Sequence, residues 1–259
     1  MTAIRFASLG SGSRGNATLI EKNNTRILID CGFGVKETRK RLARLDLELD
    51  DLDGILVTHE HGDHIGGAGR VARACGVAVY CTAGTHLTGR LGTVPDLRLI
   101  SSHRKLAIGD LEIEPVPVPH DAKEPVQFVV GDGEHRIGML TDLGSVTGHV
   151  LHCYHHCDAL ILEANHDAVM LQQGPYPPKL KRRVGGPYGH LSNAQAASLL
   201  MDLEHDKLQH VVAAHISDKN NTFDLARSAL AQVLGQNPEQ IPAIEQEEGL
   251  DWISLRSWL

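Results

Sequence analysis

Apolar positions along the chain follow two periods. Short β-rich runs lie at 17–21, 26–30, 54–58, 78–81, 111–118, 126–130, 136–141, 159–163, 211–215 and 252–255, each of strand length. Between them, residues 35–45, 65–75, 146–156, 193–203 and 222–234 carry apolar positions at helical spacing, as Leu225, Ala229, Ala231 and Val233 do in the last. Gly131-Asp132-Gly133 separates two strand runs and reads as a hairpin turn. Hairpins mixed with crossover helices predict an α/β fold with two mixed β-sheets and helices outside them, rather than a strictly alternating doubly wound sheet.

No apolar run approaches the 18 residues of a membrane span. No repeat or low-complexity tract divides the chain, so a single domain over 1–259 is expected. Residues 1–6 lack the basic region and long apolar stretch of a signal peptide, which points to the cytoplasm. Five scattered cysteines, an odd number, fit that reducing compartment and not a disulfide framework. A net charge of −7 argues against a general coat for polyanions but leaves room for a local basic patch. Sixteen histidines are the unusual feature, since histidine is both the commonest metal ligand and a proton shuttle near neutral pH.

Gly10-Ser11-Gly12-Ser13-Arg14-Gly15 spells G-x-G-x-x-G, with Asp30 twenty residues after Gly10. A dinucleotide site needs a helix directly after the glycines to meet the pyrophosphate. Here a strand, a turn at 22–25 and a second strand follow, so no nicotinamide or flavin nucleotide is expected. The glycines should instead form a tight loop whose exposed N–H groups could face an anion.

The strongest chemical signal is "LVTHEHGDHIGG", residues 56–67. A strand run gives way to a turn holding His59, His61, Asp63 and His64, and a helix begins near Ile65. In an extended segment i and i+2 point the same way, so His59 and His61 can share one metal. Gly62 lets the chain turn, and Asp63 and His64 can face a second.

This stretch resembles the H-x-H-x-D-H signature of the metallo-β-lactamase superfamily. The resemblance implies an αββα four-layer sandwich and a dinuclear centre. It assigns His59, His61 and His120 to one metal, and Asp63, His64 and His215 to the other, with Asp142 bridging. His120, Asp142 and His215 each follow an apolar strand run, in "VPVPHDA", "MLTDLG" and "VVAAHIS". Asp30 matches the superfamily's early aspartate and would orient a ligand histidine by hydrogen bond. Zinc is the first expectation for the two divalent ions, with manganese or iron accepted by the same donors. Two such ions share and activate a hydroxide, which is hydrolytic chemistry. Asp63 and Asp142 are thereby placed in the catalytic apparatus.

Three features point to phosphodiesters. His190, in "GHLSNAQAA" before a helix that Ser192 or Asn193 could cap, looks like the extra histidine of the phosphodiesterase and nuclease branches, which would protonate the leaving oxygen or hold the scissile phosphate. The densest basic run, Lys179, Lys181, Arg182 and Arg183, lies just before it and reads as a loop able to neutralise phosphates. Third, "GSGSRGN", "LILEANHD", "GHLSN" and "HISDKNN" occur in the order seen in the YycJ/WalJ group of exonucleases. That resemblance implies a DNA exonuclease acting 5′ to 3′, with Arg14, Asn16, Ser217 and Asn221 as phosphate contacts. His166, at the end of the strand run 159–163, is by its position a candidate to support the centre. The stretch from Asp142 to His190 is too short for the inserted domain of the larger nucleases, and no binding domain is expected after the last strand.

Two other classes remain open on the same residues. One is a small-molecule hydrolase acting on a cyclic phosphodiester, a thioester or a lactone. The other is a metal-dependent nucleic-acid binder without turnover. The histidines and cysteines of 148–158, which could suggest a third metal, are expected to form only a polar helix face, because that segment runs into the strand at 159–163.

Overall fold

The structure is a computed structural model and describes residues 3–203 and 206–257. The expected domain span 1–259 includes residues 1, 2, 204, 205, 258 and 259, which lie outside the described residues. The strands are β1 (Arg5–Gly10), β2 (Ala17–Lys22), β3 (Thr25–Ile29), β4 (Gly54–Leu56), β5 (Ala78–Thr82), β6 (Asp96–Ile100), β7 (Leu106–Ile108), β8 (Leu111–Pro117), β9 (Val126–Gly131), β10 (Arg136–Leu140), β11 (Ala159–Glu163), β12 (His210–Ala214) and β13 (Leu250–Ser254). The helices are α1 (Val35–Ala43), α2 (Gly62–Ile65), α3 (Ala68–Cys75), α4 (Ala83–Leu87), α5 (Gly148–Tyr154), α6 (Ala168–Gln173), α7 (Pro178–Val184), α8 (Asn193–Asp202) and α9 (Phe223–Leu234).

Seven strands form one sheet in the order β13-β1-β2-β3-β4-β5-β6, and six form the other in the order β12-β11-β10-β9-β8-β7. Both are mixed. β3 to β6 run parallel, as do β10 to β12, while the hairpins β1–β2–β3 and β8–β9–β10 are antiparallel. Alternation along the strands separates the layers. Ile27 and Ile29 of β3 and Ile161 of β11 enter the core between the sheets with Phe6 and Phe128. Leu28 faces outward onto Leu42 of α1 and Val71 of α3. Leu160 and Leu162 face outward onto Val150 of α5, Leu199 of α8 and Leu230 of α9. The result is the four-layer αββα sandwich that the sequence predicts.

Some elements differ from the sequence reading. The helix expected over 65–75 is split at Gly66 and Gly67, and the close approach of the Phe33 carbonyl leaves no room for a Cβ at Gly67. The basic run expected as a loop is a helix: Pro178 stands at the first position of α7, where its missing N–H costs nothing. β6 carries little buried surface at the sheet edge, so its pattern gave no strong signal. The 146–156 helix is the shorter α5, started by the Thr147 side chain on Val150 N and closed before His156 (φ 57°).

The glycine loop between β1 and β2 spends most of its N–H groups within the protein rather than exposing them, and the exposed Ser13 is the loop residue that reaches the cavity at the centre. Gly12 N donates to Asn16 Oδ1, Arg14 N to Gln246 Oε1, Gly15 N to Gly12 O and Asn16 N to Asp63 O. β2 begins at Ala17, so no helix follows the glycines.

Candidate metal centre

The parallel strands of both sheets end at a common edge. Asp30 follows β3, Thr58 and His59 lie beyond β4, Asp142 beyond β10, Glu163 ends β11 and His215 follows β12. Asp30 (φ 60°), Asp142 (φ 56°) and His215 (φ 52°) have left-handed backbone. For a residue other than glycine this costs about 1–3 kcal/mol, and here it turns each chain sharply as it leaves its sheet. His61 precedes α2 and Asp63 and His64 lie within it; Gly62 opens this single turn with ordinary helical backbone and room for a side chain, so the turn does not need the glycine freedom expected of it.

Among the described residues, ligand atoms gather in overlapping groups, each with all atoms within 4.8 Å: His59, His61 and His120; Asp63, His64 and His215; His59, His64 and Asp142. A fourth group joins Asp142 and His215 to Glu163 and His190. Asp142 belongs to two groups and lies between the two histidine sets.

Hydrogen bonds at the far side of the rings decide which nitrogen faces inward. Thr58 Oγ1 gives its one proton to Asp30, at 2.8 Å from Oδ2, and so accepts from His59 Nδ1 at 2.9 Å. His64 Nδ1 donates to Asp30 Oδ2 (2.7 Å), His120 Nδ1 to the Gly189 carbonyl (3.0 Å) and His215 Nδ1 to Glu163 Oε1 (3.0 Å). When these rings are neutral, as ligation requires, the lone pairs left are the Nε2 atoms of these four residues. His61 is the exception: its Nδ1 turns inward, 3.2 Å from His120 Nε2.

The donor set fits divalent cations. His59 Nε2 and Asp142 Oδ2 are buried with no hydrogen-bond partner, although His64 Nε2 is only 2.9 Å from that oxygen. Atoms so close yet not aligned on one another are aimed at shared space between them. Burial holds His59 and His120 below the usual imidazole range, in the neutral form that ligates. Burial also opposes charge on Asp142, but His215 and His64 hold its carboxyl well below the ordinary range. His64 is raised against burial by Asp142 and Asp30, and His215 is pushed up to about 10 by Asp142, Asp63 and Glu163.

Glu163 was not singled out in the sequence. Its buried carboxylate takes His190 Nδ1 (2.9 Å) and His215 Nδ1 on Oε1, and the N–H groups of Leu143 (3.2 Å) and Leu191 (2.9 Å) on Oε2. Its charge is favoured over burial by His190, and its carboxyl is lowered to about 2. The signal was available: an acid ending an apolar strand, as Asp142 and His215 do.

The proposed substrate contacts occupy different settings. A cavity of about 340 Å³ opens on His61, Asp63 and His190, and Arg183, Ser217 and Tyr176 line it. Arg183 is paired with Asp121 at 2.5 Å, and Arg182 is exposed and unpaired among the described residues. Arg14 is exposed and pairs with Glu247 at 2.6 Å. Asn16 is buried, its amide 3.3 Å from Asp63 Oδ2 and 3.1 Å from His64 Nε2. Asn221 is buried too, exchanging hydrogen bonds with Asn193 at 2.8 Å and donating to Ala164 O. Both asparagines thus join protein to protein. His166 is buried, and its ring bonds to none of the ligand candidates.

Fold and donor set together define a metal-dependent hydrolase of the metallo-β-lactamase type. The profile of the β-lactamase superfamily domain matches residues 25–216, and the chain belongs to that superfamily. It is 36% identical to exodeoxyribonuclease YycJ of Bacillus anthracis over 237 residues, 89% of each chain. It is 32% identical to exodeoxyribonuclease WalJ of Streptococcus pneumoniae over 239 residues, 90% of this chain and 89% of that one. Among solved structures, the metallo-β-lactamase fold protein YhfI from Bacillus subtilis matches with a TM-score of 0.74 at 16% identity, covering 100% of this chain and 99% of that one. That likeness shows the fold alone.

Proposed function

We propose that this protein is a cytoplasmic DNA exonuclease that hydrolyses terminal phosphodiesters in the 5′-to-3′ sense. The observation that carries the reading is that His190, held from behind by the buried Glu163, lines the same cavity as His61, Asp63, Asp142 and His215. Similarity to two exodeoxyribonucleases over about nine tenths of the chain supports it.

Two divalent ions, zinc first and manganese or iron as alternatives, would be held by His59, His61 and His120 and by Asp63, His64 and His215, with Asp142 shared. When bound, they supply Lewis acidity and an activated water. The protein's own part concerns position and protons. Glu163 accepts from His190 Nδ1–H and stabilises the imidazolium, whose Nε2–H gives its proton to the leaving 3′ oxygen as the P–O bond breaks. Such a general acid is worth about 10²–10⁴ in rate. Asp30 and Thr58 keep His64 and His59 in ligating orientation. Asn16 ties the glycine loop to Asp63 and His64, and Ser11 Oγ accepts from His215 N at 2.9 Å. Tyr176, Leu180, Val184 and Ile216 line the cavity with apolar surface suited to the flat face of a terminal base. Arg183 and Arg182 on α7 stand where the continuing strand would need counter-charge.

The test is end-labelled single- and double-stranded DNA with added zinc or manganese, beside His190→Ala and chelator-treated protein. Stepwise shortening from the 5′ end, lost in both controls, is the expected result. Metal-loaded protein that leaves DNA intact, yet hydrolyses a small cyclic phosphodiester, thioester or lactone, would move the function to that class.

A further inference from the structure

A second concentration of positive charge lies away from α7. On α1, Lys36, Arg39 and Lys40 are exposed, while Thr38, Arg41 and Leu42 are buried against the first sheet. The spacing i, i+3, i+4 puts the three cations on one solvent stripe. α3 packs beside α1 and adds the exposed Arg70 and Arg73. Arg70 donates to Gly66 O at 2.8 Å, and Arg73 to Thr93 O, both backbone carbonyls that leave the charge uncompensated. Among the described residues, no ion pair joins Lys36, Arg39 or Lys40 to a carboxylate, although Lys40 stands near enough to Glu37 to favour its charge. The one acid on α1, Glu37, is taken by Arg41 at 2.7 Å. In a chain of net charge −7, five exposed cations on two adjacent helices are a local concentration of positive charge.

The position of this face matters as much as its charge. Both helices start at the metal edge and run away from it. α3 begins at Ala68, shortly after His64, and Gly67 N donates to Cys31 O. α1 begins after Gly34, and Gly32 N donates to Asn16 O in the loop beneath Asp63. The face therefore leads from the rim of the centre across the first sheet, where the acidic turn Leu49–Asp51 bounds it. α7 stands on the other side of the cavity, beside the second sheet.

We propose that the α1–α3 face is a second nucleic-acid surface, which holds the phosphate backbone of the DNA beyond the scissile end. The proposal rests on the nuclease reading above. A strand with its end in the cavity would be gripped on two banks, α7 and α1–α3, so the enzyme would stay on a long substrate between cuts. Cations neutralising phosphates add to the salt dependence of binding, about 0.7 per contact for single strands and 0.9 for duplex.

The test is the combined variant Lys36→Gln, Arg39→Gln and Lys40→Gln, whose side chains make no contacts that the fold needs. Binding of long DNA is measured against salt concentration, and kcat/KM is measured on long DNA and on a dinucleotide. The slope of log K against log salt should fall by roughly 2 for single strands. The ratio of kcat/KM on long DNA to that on the dinucleotide should fall with it, with metal content and melting temperature as in the parent. Arg39→Lys, which keeps the charge, should keep the parent slope. A parent slope in the triple variant overturns the proposal and leaves the face to an acidic protein partner. A parent protein that binds no DNA at any salt brings down the nuclease reading itself, a separate and recognisable result.

Discussion

Glu163 Oε1 receives His190 Nδ1 at 2.9 Å and, on the same oxygen, His215 Nδ1 at 3.0 Å. One buried carboxylate therefore orients a candidate metal ligand and the candidate acid together. Removing each end of this arrangement should have distinct effects. His190→Ala should keep its metals and lose about 10²–10⁴ in kcat. Glu163→Ala should lose activity and also weaken metal binding about 10–100-fold, because His215 loses its support. Metal content and kcat measured on both variants check this, and a Glu163→Ala protein with parental metal affinity would separate the carboxylate from His215.

Asp142 lies between both histidine sets, 2.9 Å from His64 Nε2 and 3.8 Å from His120 Nε2. Asp142→Ala should therefore deplete both metals in bulk analysis. Full occupancy by two ions in this variant would end its role as a shared ligand.

Metal loading should release protons. In the metal-free protein, the raised His64 and the His215 held near 10 carry protons at neutral pH, and a ligating nitrogen must be bare. Metal affinity should therefore strengthen as pH rises from 6 towards 9. The metal-free fold should respond in the opposite direction. A histidine whose folded value is raised contributes stability in full below its unfolded value near 6.5, and loses it as pH rises through the folded value. Calorimetric titration in buffers of different ionisation enthalpy reads the first effect. Melting of chelated protein between pH 6.5 and 10 reads the second. Proton uptake on metal addition would contradict the assignment.

Gly67 packs where a side chain has no room, against the Phe33 carbonyl and near that of Cys31. Gly67→Ala should destabilise the fold by about 3 kcal/mol or more, and it should disturb the ligand turn just before it. Urea unfolding gives the stability, and metal content gives the coupling to the turn. Gly62→Ala, where a Cβ meets open space, is the control and should melt near the parent temperature.

How much of this could be read without coordinates depends on the range of each contact. The ligand turn was legible because His59, His61, Asp63 and His64 are neighbours in the chain, at a strand–helix junction that their flanks announce. The sheets were legible from period-two alternation, as in Ile27, Leu28 and Ile29, whose opposite faces meet different cores. The basic run at 179–183 was legible as charge but not as a helix, since Pro and Gly around it suggest a turn as readily as a helix start. Glu163 was visible as a strand-end acid, yet nothing local says that it serves both His190 and His215. Asn16 and Asn221 were expected as phosphate contacts and are buried ties between loops. Local spacing is carried by covalent geometry and survives in any chain with that sequence. Which side chains meet across the sandwich was decided only when two sheets packed face to face, brought their parallel strand ends to one edge, and turned Asp30, Asp142 and His215 through left-handed backbone into the same small space.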